Sequence, residues 1–527
     1  MLSLFGLLPL LALSAVAAPA PLTERAACTM NWKGRTLTGA TDGNACRYTV
    51  KYGSASRWAH SSAASSTPNN AAGWAPRCPQ AHAFPAATNT QSEDCLYLTI
   101  WAPSSASQNS NLPVYVYVPG GSNIDGSAAD DGIDGASMAS QGLVVVHAQT
   151  RIGVLGFLPP SWMRVSDPNF ALRDMLLALR SIKDNIVGAG GNPSAVTLGG
   201  QSSGALIAQS MLGVPEAAGL FQRIILQSGP MNVGTQSAAQ TSALQKLFYE
   251  DILHCHDKRC AQNKSAAQLM TATANDLVNM APNIEGVPYA AFVRPVFGTP
   301  TLPQDPSNVL MNNPAQLAVK PQQVLVTTVL NDGGAGADVM TPIPGGGPLG
   351  TNLRRRDYTP AEAYLNVLRF QVGSRADAVA AQYPLPAGVE IGPGMTPTIE
   401  RAFTDGGFRC PSRALASKFA TFASTYVGEF TQGGNHANNQ GLTYCDNHVC
   451  HMDDVYAWWG TGPTGSDAFS QDVQGRVASF VKNGNPGSGW SAYNGNNVFA
   501  IGGGQTESCP AGFWGGQVKF DFQLYSQ

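Results

Sequence analysis

Residues 200–204 read GQSSG, a G-x-S-x-G pattern in which Ser202 could act as a nucleophile. The pattern follows the β-branched run VTL at 196–198 and precedes ALIAQSML, a run compatible with a helix. A serine on a sharp strand-to-helix turn is exposed to substrate, and the helix N-terminus favours the negative oxygen that forms during acyl transfer. Ser203 is the rival nucleophile, but it lies one position late, where its backbone N–H is suited to bind that oxygen. The pattern therefore predicts Ser202 as the acyl acceptor.

A serine nucleophile needs a base and an acid that orients the base. His451 follows a short cysteine loop, 445–450, and His448 inside that loop is its nearest competitor. Asp332 lies in an Asn-Asp-Gly turn that closes the apolar run 324–330, and open α/β sheets build their sites at such strand ends. The order serine, acid, histidine is typical of hydrolases on open α/β sheets and differs from the chymotrypsin and subtilisin orders.

A second glycine-rich segment could stabilise the oxyanion. Residues 119–123 (PGGSN) follow the run VYVYV at 114–118 and can present adjacent amides to one point. Backbone amides aimed at the developing negative charge are a large contribution to acyl-transfer catalysis. The alternative interpretation is an ordinary Gly-Gly turn.

These residues must be positioned by a sheet. Short, continuous apolar runs predict strands that are covered on both faces, at 114–118, 144–147, 196–198, 223–226 and 324–330. Phe170–Asn185 has leucine and isoleucine at helical spacing, and 361–369 is a second helix-like stretch. Strands that alternate with helices predict the α/β class, with a large, mostly parallel central sheet flanked by helices and decorated by loop and helical insertions. We expect residues 18–527 to form one domain.

Composition and the N-terminus suggest where the protein works. The chain has 527 residues and a net charge of −3, which argues against a nucleic-acid partner. Residues 1–17 form an apolar run that ends in Ala15-Val16-Ala17, the pattern of a cleaved signal peptide. A retained N-terminal anchor is the alternative. The sequence predicts a secreted, extracellular protein without a stable membrane anchor.

The cysteines agree with export. An even number of cysteines in an exported chain predicts disulfides, and there are ten, with no C-x2-C array that would suggest zinc. They are Cys28, Cys46, Cys78, Cys95, Cys255, Cys260, Cys410, Cys445, Cys450 and Cys509. Asn263 begins an Asn-Lys-Ser acceptor sequon and is a predicted glycosylation site.

Several further motifs resemble the type B carboxylesterase/lipase family, which includes the cholinesterases. They are EDCLYL at 93–98, RIGVLGFL at 151–158, GGNP running into VTLGGQSSG at 190–204, ILQSG at 225–229 and CHMDDVY at 450–456. The resemblance runs in order across nearly the whole chain that follows the predicted signal peptide. It implies an α/β-hydrolase fold and the hydrolysis of carboxylic esters without metal or organic cofactor.

The resemblance also implies roles for individual residues. Ser202 would be the nucleophile, His451 the general base and then acid, and Asp332 the third member. The oxyanion donors would be the amides of Gly121, Ser122 and Ser203. The implied disulfides are Cys78–Cys95, Cys255–Cys260 and Cys410–Cys509, while Cys28–Cys46 and Cys445–Cys450 follow by remainder and proximity.

The chain also departs from the family pattern. The family usually has three glycines where this chain has Gly-Gly-Ser at 120–122, alanine at the position of Ser203, and glutamate at the position of Asp332. Because aspartate is one methylene shorter, either the chain brings Asp332 closer to the histidine or Asp338 takes the role. Because of these departures, a non-catalytic binding or adhesion protein is the competing hypothesis. A peptidase on the same fold is the third hypothesis.

The substrate is predicted to be a small-molecule or lipid ester. The loop between Cys78 and Cys95 has Phe84 as its only aromatic residue, which argues against a choline ester because a cation–π wall is missing. The loop is short and polar, so we expect soluble esters rather than emulsified fat, with a true lipase as the alternative. The sequence defines neither acyl-chain length nor oligomeric state.

Overall fold

The computed structural model describes residues 28–81, 86–289, 291–342, 358–463 and 467–526. The strands of these residues are β1 Thr29–Trp32, β2 Arg35–Thr38, β3 Ala40–Asp42, β4 Ala45–Lys51, β5 Gly53–Ser54, β6 Ser62–Ala63, β7 Tyr97–Pro103, β8 Leu112–Val118, β9 Val144–Ala148, β10 Gly191–Gln201, β11 Arg223–Gln227, β12 Gln323–Val329, β13 Ser424–Phe430 and β14 Phe499–Ile501. Most of them join one central sheet.

The helices surround this sheet. They are α1 Ala136–Ser140, α2 Gly153–Phe157, α3 Phe170–Asn185, α4 Ser203–Ser210, α5 Ala238–Gln245, α6 Lys258–Asn263, α7 Ala266–Ala272, α8 Val278–Met280, α9 Pro306–Asn312, α10 Gly334–Met340, α11 Pro360–Val372, α12 Ala376–Gln382, α13 Thr396–Phe403, α14 Cys410–Phe419, α15 Val455–Trp459, α16 Ala468–Asn483 and α17 Asp521–Tyr525. In the described part of the chain, no helix has the length and apolar character needed to cross a membrane.

The central sheet has ten strands in the order β14-β13-β12-β11-β10-β8-β9-β7-β4-β3. The strands from β14 to β9 are parallel to their neighbours, whereas β7, β4 and β3 pair in antiparallel fashion. The predicted class, a large and mostly parallel sheet flanked by helices, is confirmed. The C-terminal ends of β8, β10, β11 and β12 therefore meet at one edge.

Side-chain alternation along each strand builds a core on both faces of the sheet. In β8, Val114 and Val116 belong to the cluster that includes α3, whereas Tyr115 and Tyr117 belong to the opposite cluster with α15 and α16. All four side chains are buried, as expected for strands that read as continuous apolar runs. Because both faces of the sheet are covered, the ends of the strands are the part of the sheet that is open to a ligand.

Most predicted elements are present with changed limits. The predicted helix Phe170–Asn185 is confirmed as α3, and the stretch 361–369 lies within the longer helix α11. The run 324–330 forms β12, which begins at Gln323 and ends at Val329, and the Leu330 amide still donates to Phe430 O at the end of β13 at 2.9 Å. The run 196–198 is the centre of β10, which begins at Gly191.

Five disulfides cross-link the described part of the chain. They are Cys28–Cys46, Cys78–Cys95, Cys255–Cys260, Cys410–Cys509 and Cys445–Cys450. Three of these pairs are implied by the resemblance, and Cys28–Cys46 and Cys445–Cys450 are the two expected by remainder and proximity. Asn263 is exposed at the end of α6, and its glycosylation stays a prediction. The predicted signal peptide at 1–17 and Phe84 lie outside the described residues.

Candidate active site

Ser202 lies on the turn between β10 and α4 in a conformation that serine rarely adopts. Its φ is 55° and its ψ is −127°, and a non-glycine residue held in such a region costs about 1–3 kcal/mol. The Ser202 amide donates to Gln227 O at 2.9 Å, which ties the turn to the end of β11. Backbone strain that the neighbouring structure maintains is typical of functional sites.

Two glycines allow this turn to form. A Cβ at Gly200 would lie 2.3 Å from the carbonyl carbon of Gly204, and a Cβ at Gly204 would lie 2.1 Å from Val118 O. Neither distance leaves room for a side chain, so the first turn of α4 packs directly on the ends of β8 and β10. This explains why glycines flank the serine at both positions of the G-x-S-x-G pattern.

His451 and Asp332 form a close hydrogen-bonded pair. Nδ1 of His451 lies 2.7 Å from Oδ1 of Asp332, and the aspartate is buried. Because an ionised carboxylate only accepts hydrogen bonds, Nδ1 carries the proton of the neutral ring and Nε2 keeps its lone pair. The structure thus brings together two of the three residues predicted to form a triad and leaves the ring in the tautomer that can act as a base.

Asp332 is oriented through its second oxygen. Oδ2 accepts a hydrogen bond from the Ser228 hydroxyl at 2.9 Å and another from the Val329 amide at 3.0 Å. These two hydrogen bonds fix the orientation of the Asp332 carboxylate, so that Oδ1 is directed at His451. A carboxylate with defined partners on both oxygens fixes the orientation of the imidazole that it binds.

The backbone compensates for the short aspartate. The Asn331 amide donates to Val449 O at 2.9 Å, and Asn331 forms a bridge with Cys450. On the other side of the turn, the Gly333 amide donates to Thr404 Oγ1 at 2.7 Å. The turn that carries Asp332 is therefore held beside the segment that carries His451. Because the two backbone segments lie close together, the shorter aspartate side chain still reaches the histidine.

The two competing residues lie elsewhere. Oδ2 of Asp338, on α10, lies 3.4 Å from the Tyr444 amide. His448 is exposed, stacks on the Tyr444 ring at 4.0 Å and contacts Tyr444 O through Nδ1 at 2.7 Å. The structure places neither Asp338 nor His448 in contact with the pair formed by Asp332 and His451.

The loop that carries His451 is fixed by hydrogen bonds of its own. Asn439 Nδ2 donates to His451 O at 2.9 Å and to Asp453 Oδ1 at 2.9 Å. Asp453 Oδ2 accepts from the Cys450 amide at 2.7 Å, and burial raises the pKa of Asp453 to about 6. Together with the disulfide Cys445–Cys450, these contacts hold the backbone of His451 in place.

The free nitrogen of His451 faces a glutamine in this structure. Nε2 of His451 lies 3.2 Å from Nε2 of Gln201, the residue before the candidate nucleophile. Since Nε2 of the ring is an acceptor, the Gln201 amide is the donor. Within the described residues no hydrogen bond joins the His451 ring to Ser202 Oγ, although both residues line the same cavity.

The predicted oxyanion donors line the same cavity. Gly121, Ser122 and Ser203 face it together with Ser202, and in the described part of the chain their amides donate to no protein acceptor. Gly121 has a φ of 125°, and a Cβ there would lie 2.4 Å from Asp125 O. Three free amides beside a serine hydroxyl form an arrangement that can bind a negatively charged oxygen.

The cavity has a volume of about 400 Å³ and is lined mainly by apolar side chains. Phe408 packs against the His451 ring with the ring centres 5.1 Å apart. The other large apolar side chains of the lining are Ile124, Val233, Val278, Phe292, Val339, Met340, Phe403, Leu442 and Met452. Such a cavity suits a small apolar molecule whose reactive group reaches Ser202.

A second buried carboxyl group lies close behind this site. Asp454 is fully buried, and burial, together with the nearby charge of Asp332, raises its pKa to about 7, although Gln227 and His451 act in the opposite direction. Gln227 Nε2 donates to Asp454 Oδ2 at 2.7 Å, and Oδ1 has no hydrogen-bond partner among the described residues. The described residues contain no cluster of metal-ligating side chains.

Sequence reasoning missed several residues that build the site. Ser228 belongs to the quoted motif ILQSG, and Asp453 and Asp454 belong to CHMDDVY, but the motifs gave no role for them. Gln201 occupies the variable position of G-x-S-x-G, and Asn439 lies in no recognised motif, so only the three-dimensional contacts reveal them.

The sequence is similar to those of known proteins. The model of the carboxylesterase family matches residues 50–509. The chain is 33% identical over 233 residues to para-nitrobenzyl esterase of Bacillus subtilis (strain 168), an alignment that covers 43% of this chain and 45% of that protein. It is 42% identical over 139 residues to Carboxylesterase 5A of Homo sapiens, covering 26% of this chain and 24% of the relative.

A solved structure gives broader coverage. The structure of a PNB esterase superposes with a TM-score of 0.69 and 24% sequence identity, covering 88% of this chain and 93% of that one. The α/β-hydrolase fold expected from the motifs is confirmed. The sequence alignments to the two esterases above span less than half of their lengths, whereas the family model spans most of this chain, which belongs to the carboxylesterase family.

Proposed function

We propose that this protein is a secreted serine hydrolase of carboxylic esters that works through an acyl-enzyme on Ser202. The observation that carries the proposal is the 2.7 Å pair of His451 and Asp332, which shares a cavity with a strained Ser202 and three free amides. A nucleophile, an oriented base and oxyanion donors around one apolar cavity are the parts that acyl transfer requires.

In the first half of the reaction, Ser202 attacks the ester. The imidazole leaves the Gln201 amide, and Nε2 takes the hydroxyl proton as Oγ bonds to the carbonyl carbon. The carbonyl oxygen becomes negative and is bound by the amides of Gly121, Ser122 and Ser203. The alcohol then departs with the proton from Nε2, which leaves an ester of Ser202 and a neutral ring.

Water completes the cycle by the same steps. Nε2 of His451 accepts a proton from water as the water oxygen attacks the acyl carbon, and the oxyanion forms again at the same amides. The proton then returns to Ser202 Oγ as the carboxylic acid leaves. Asp332 keeps the ring in one tautomer throughout and stabilises its positive charge, without itself taking the proton.

The cavity favours soluble esters of moderate size. Its volume of about 400 Å³ lies near the lower end of the range for small-molecule sites, about 300–1,000 Å³. One relative is named para-nitrobenzyl esterase, a name that refers to esters of a small alcohol. On the basis of this volume we favour a carboxylesterase over a true lipase that acts on long-chain acylglycerols.

Export is supported by covalent structure. All ten cysteines of the chain are paired in five disulfides, a state that persists in oxidising compartments. The exposed sequon at Asn263 and the apolar N-terminal run at 1–17 are consistent with passage through a secretory pathway. We propose an extracellular location on these grounds.

A panel of esters tests the proposed function. Purified protein is assayed with p-nitrophenyl acetate, butyrate, octanoate and palmitate, and with the p-nitroanilide of butyric acid, against protein denatured in guanidinium chloride as the control. We expect saturable hydrolysis of the short and medium esters, little of palmitate and none of the anilide. Preference for palmitate would instead indicate a lipase, preference for the anilide a peptidase, and an inert but folded protein a binding function.

A further inference from the structure

The oxyanion segment carries two positive φ angles that its sequence does not favour. Ser122 has a φ of 54° and Asn123 a φ of 60°. Asparagine tolerates this left-handed region, but serine rarely occupies it. A glycine at 122 would adopt it freely. The amides of Ile124 and Asp125 donate to Gly121 O at 3.0 and 2.9 Å and close the turn around Ser122, and a further interaction ties this turn to α4.

The residue after Ser202 supplies that interaction. The Asn123 amide donates to Ser203 Oγ at 3.0 Å, and both residues are almost completely buried. Asn123 is held on two further sides, because its Nδ2 donates to Val293 O at 3.1 Å and its carbonyl accepts from the Gly153 amide at 2.5 Å. The hydroxyl of Ser203 is thus the link between the oxyanion segment and α4.

We propose that the Ser203 hydroxyl is a positioning group of the oxyanion hole, which anchors Asn123 and thereby holds the Ser122 amide toward the reacting carbonyl oxygen. The inference rests on the proposed ester hydrolysis at Ser202. In this arrangement Ser203 contributes to the oxyanion hole in two ways. Its backbone amide is one of the donors, and its Oγ holds the segment that carries the amides of Gly121 and Ser122. The Asn123 amide is occupied and binds no substrate oxygen.

Two departures noted in the sequence are therefore physically coupled. A serine at 122 brings strain into the oxyanion segment, and a serine at 203 provides the acceptor that holds the segment in place. With alanine at 203 the Asn123 amide would be buried without a partner, and Ser122 could relax toward negative φ. That relaxation would turn one donor away from the oxyanion.

The test compares Ser203→Ala with Ser210→Ala. Ser210 is also buried on α4, but its hydroxyl donates to Leu206 O at 2.7 Å, so the control removes the same atom from the same helix away from the cavity. We expect Ser203→Ala to lower kcat for p-nitrophenyl butyrate about tenfold and leave KM within about twofold, since a weakened donor acts mainly in the transition state.

A trifluoromethyl ketone measures the hole directly. Ser202 Oγ adds to the ketone carbon, His451 takes the proton, and the product is a hemiketal oxyanion, so affinity reports oxyanion binding without turnover. We expect Ki to rise about tenfold in Ser203→Ala, to stay unchanged in Ser210→Ala, and to recover when Ser122→Gly is added to Ser203→Ala. Unchanged kcat and Ki in Ser203→Ala, or equal losses in Ser210→Ala, would overturn the inference.

Hydrogen–deuterium exchange separates this inference from the proposed function. In the peptide that covers residues 119–126, we expect faster exchange in Ser203→Ala than in wild type or Ser210→Ala, whether or not the protein hydrolyses esters. An unchanged exchange rate would show that the hydroxyl anchors nothing. If the wild-type protein hydrolyses no ester but residues 119–126 still exchange faster in Ser203→Ala, the proposed function is refuted. The anchoring role of the Ser203 hydroxyl is then still supported.

Discussion

Asp332→Asn is expected to lower kcat for p-nitrophenyl butyrate by about 10⁴-fold, the largest loss that we expect from an isosteric change in this protein. Oδ1 of Asp332 accepts from His451 Nδ1 at 2.7 Å, while Oδ2 is occupied by Ser228 and Val329. An asparagine in this position can present its amide group to the ring, which then carries its proton on Nε2. In that tautomer Nε2 has no lone pair to receive the proton of Ser202, because the lone pair lies on Nδ1.

Asp338→Asn is the matched control for this change. Asp338 is the other aspartate that the sequence allows as the acid, and its carboxylate contacts the Tyr444 amide and not His451. We expect its kcat to stay within about threefold of wild type, because a single long hydrogen bond at a partly exposed position contributes little. A larger loss in Asp338→Asn than in Asp332→Asn would show that the acid has been assigned to the wrong residue.

Asp454→Asn is expected to stabilise the protein above neutral pH and to leave its stability unchanged near pH 4. Burial raises the pKa of Asp454 to about 7, whereas an unfolded aspartate titrates near pH 3.9. The folded protein therefore keeps a proton that the unfolded chain releases. Stability from this group is complete below about pH 4 and is lost as pH rises toward 7.

Asparagine removes this dependence because it does not ionise and can still accept from Gln227, whose Nε2 lies 2.7 Å from Asp454 Oδ2. The free energy of unfolding at pH 8 should rise by up to about 4 kcal/mol, as measured by urea denaturation at pH 4 and pH 8. Asp446→Asn, at an exposed position in the nearby disulfide loop, should change neither value. Equal gains for Asp454→Asn at both pH values would contradict the explanation.

The parts of the fold and site that could be predicted share one physical basis. Strands buried on both faces read as continuous apolar runs, and chemistry-bearing residues follow them directly. The run VTL before GQSSG and the run ending at Asn-Asp-Gly place Ser202 and Asp332 at the same edge of the sheet without any knowledge of long-range contacts. The sequence predicts helix α3 equally clearly, because its apolar side chains recur at helical spacing.

Other strands could not be predicted, because their sequences contain no continuous apolar run. The strand β13 reads STYVGEF and mixes polar with apolar residues, and β14 contributes three residues at the edge of the sheet. On the opposite side, β4 and β7 are antiparallel, and β4 includes Arg47 and Lys51. Such sequences lack the apolar run of a central strand and are defined mainly by their pairing with neighbours.

Within the site, the undetected features all depend on contacts between distant segments. Asp332 and Asp338 both follow β12, and only the bridge from Asn331 to Cys450 decides which of them reaches His451. The contact of Gln201 with His451 and the burial of Asp454 behind the site likewise join residues far apart in the chain. Spacing along the sequence carries no signal for such contacts.

The residue that an alkyl fluorophosphonate modifies tests the assignment of Ser202 as the nucleophile most directly. Ser202 Oγ would displace fluoride from phosphorus, and His451 would take the proton. Intact-mass and peptide analysis of the folded wild type should show one adduct per chain, on the peptide that contains Ser202, and Ser202→Ala should show none. An unmodified wild type, or equal labelling of Ser202→Ala, would contradict the assignment of Ser202 as the nucleophile.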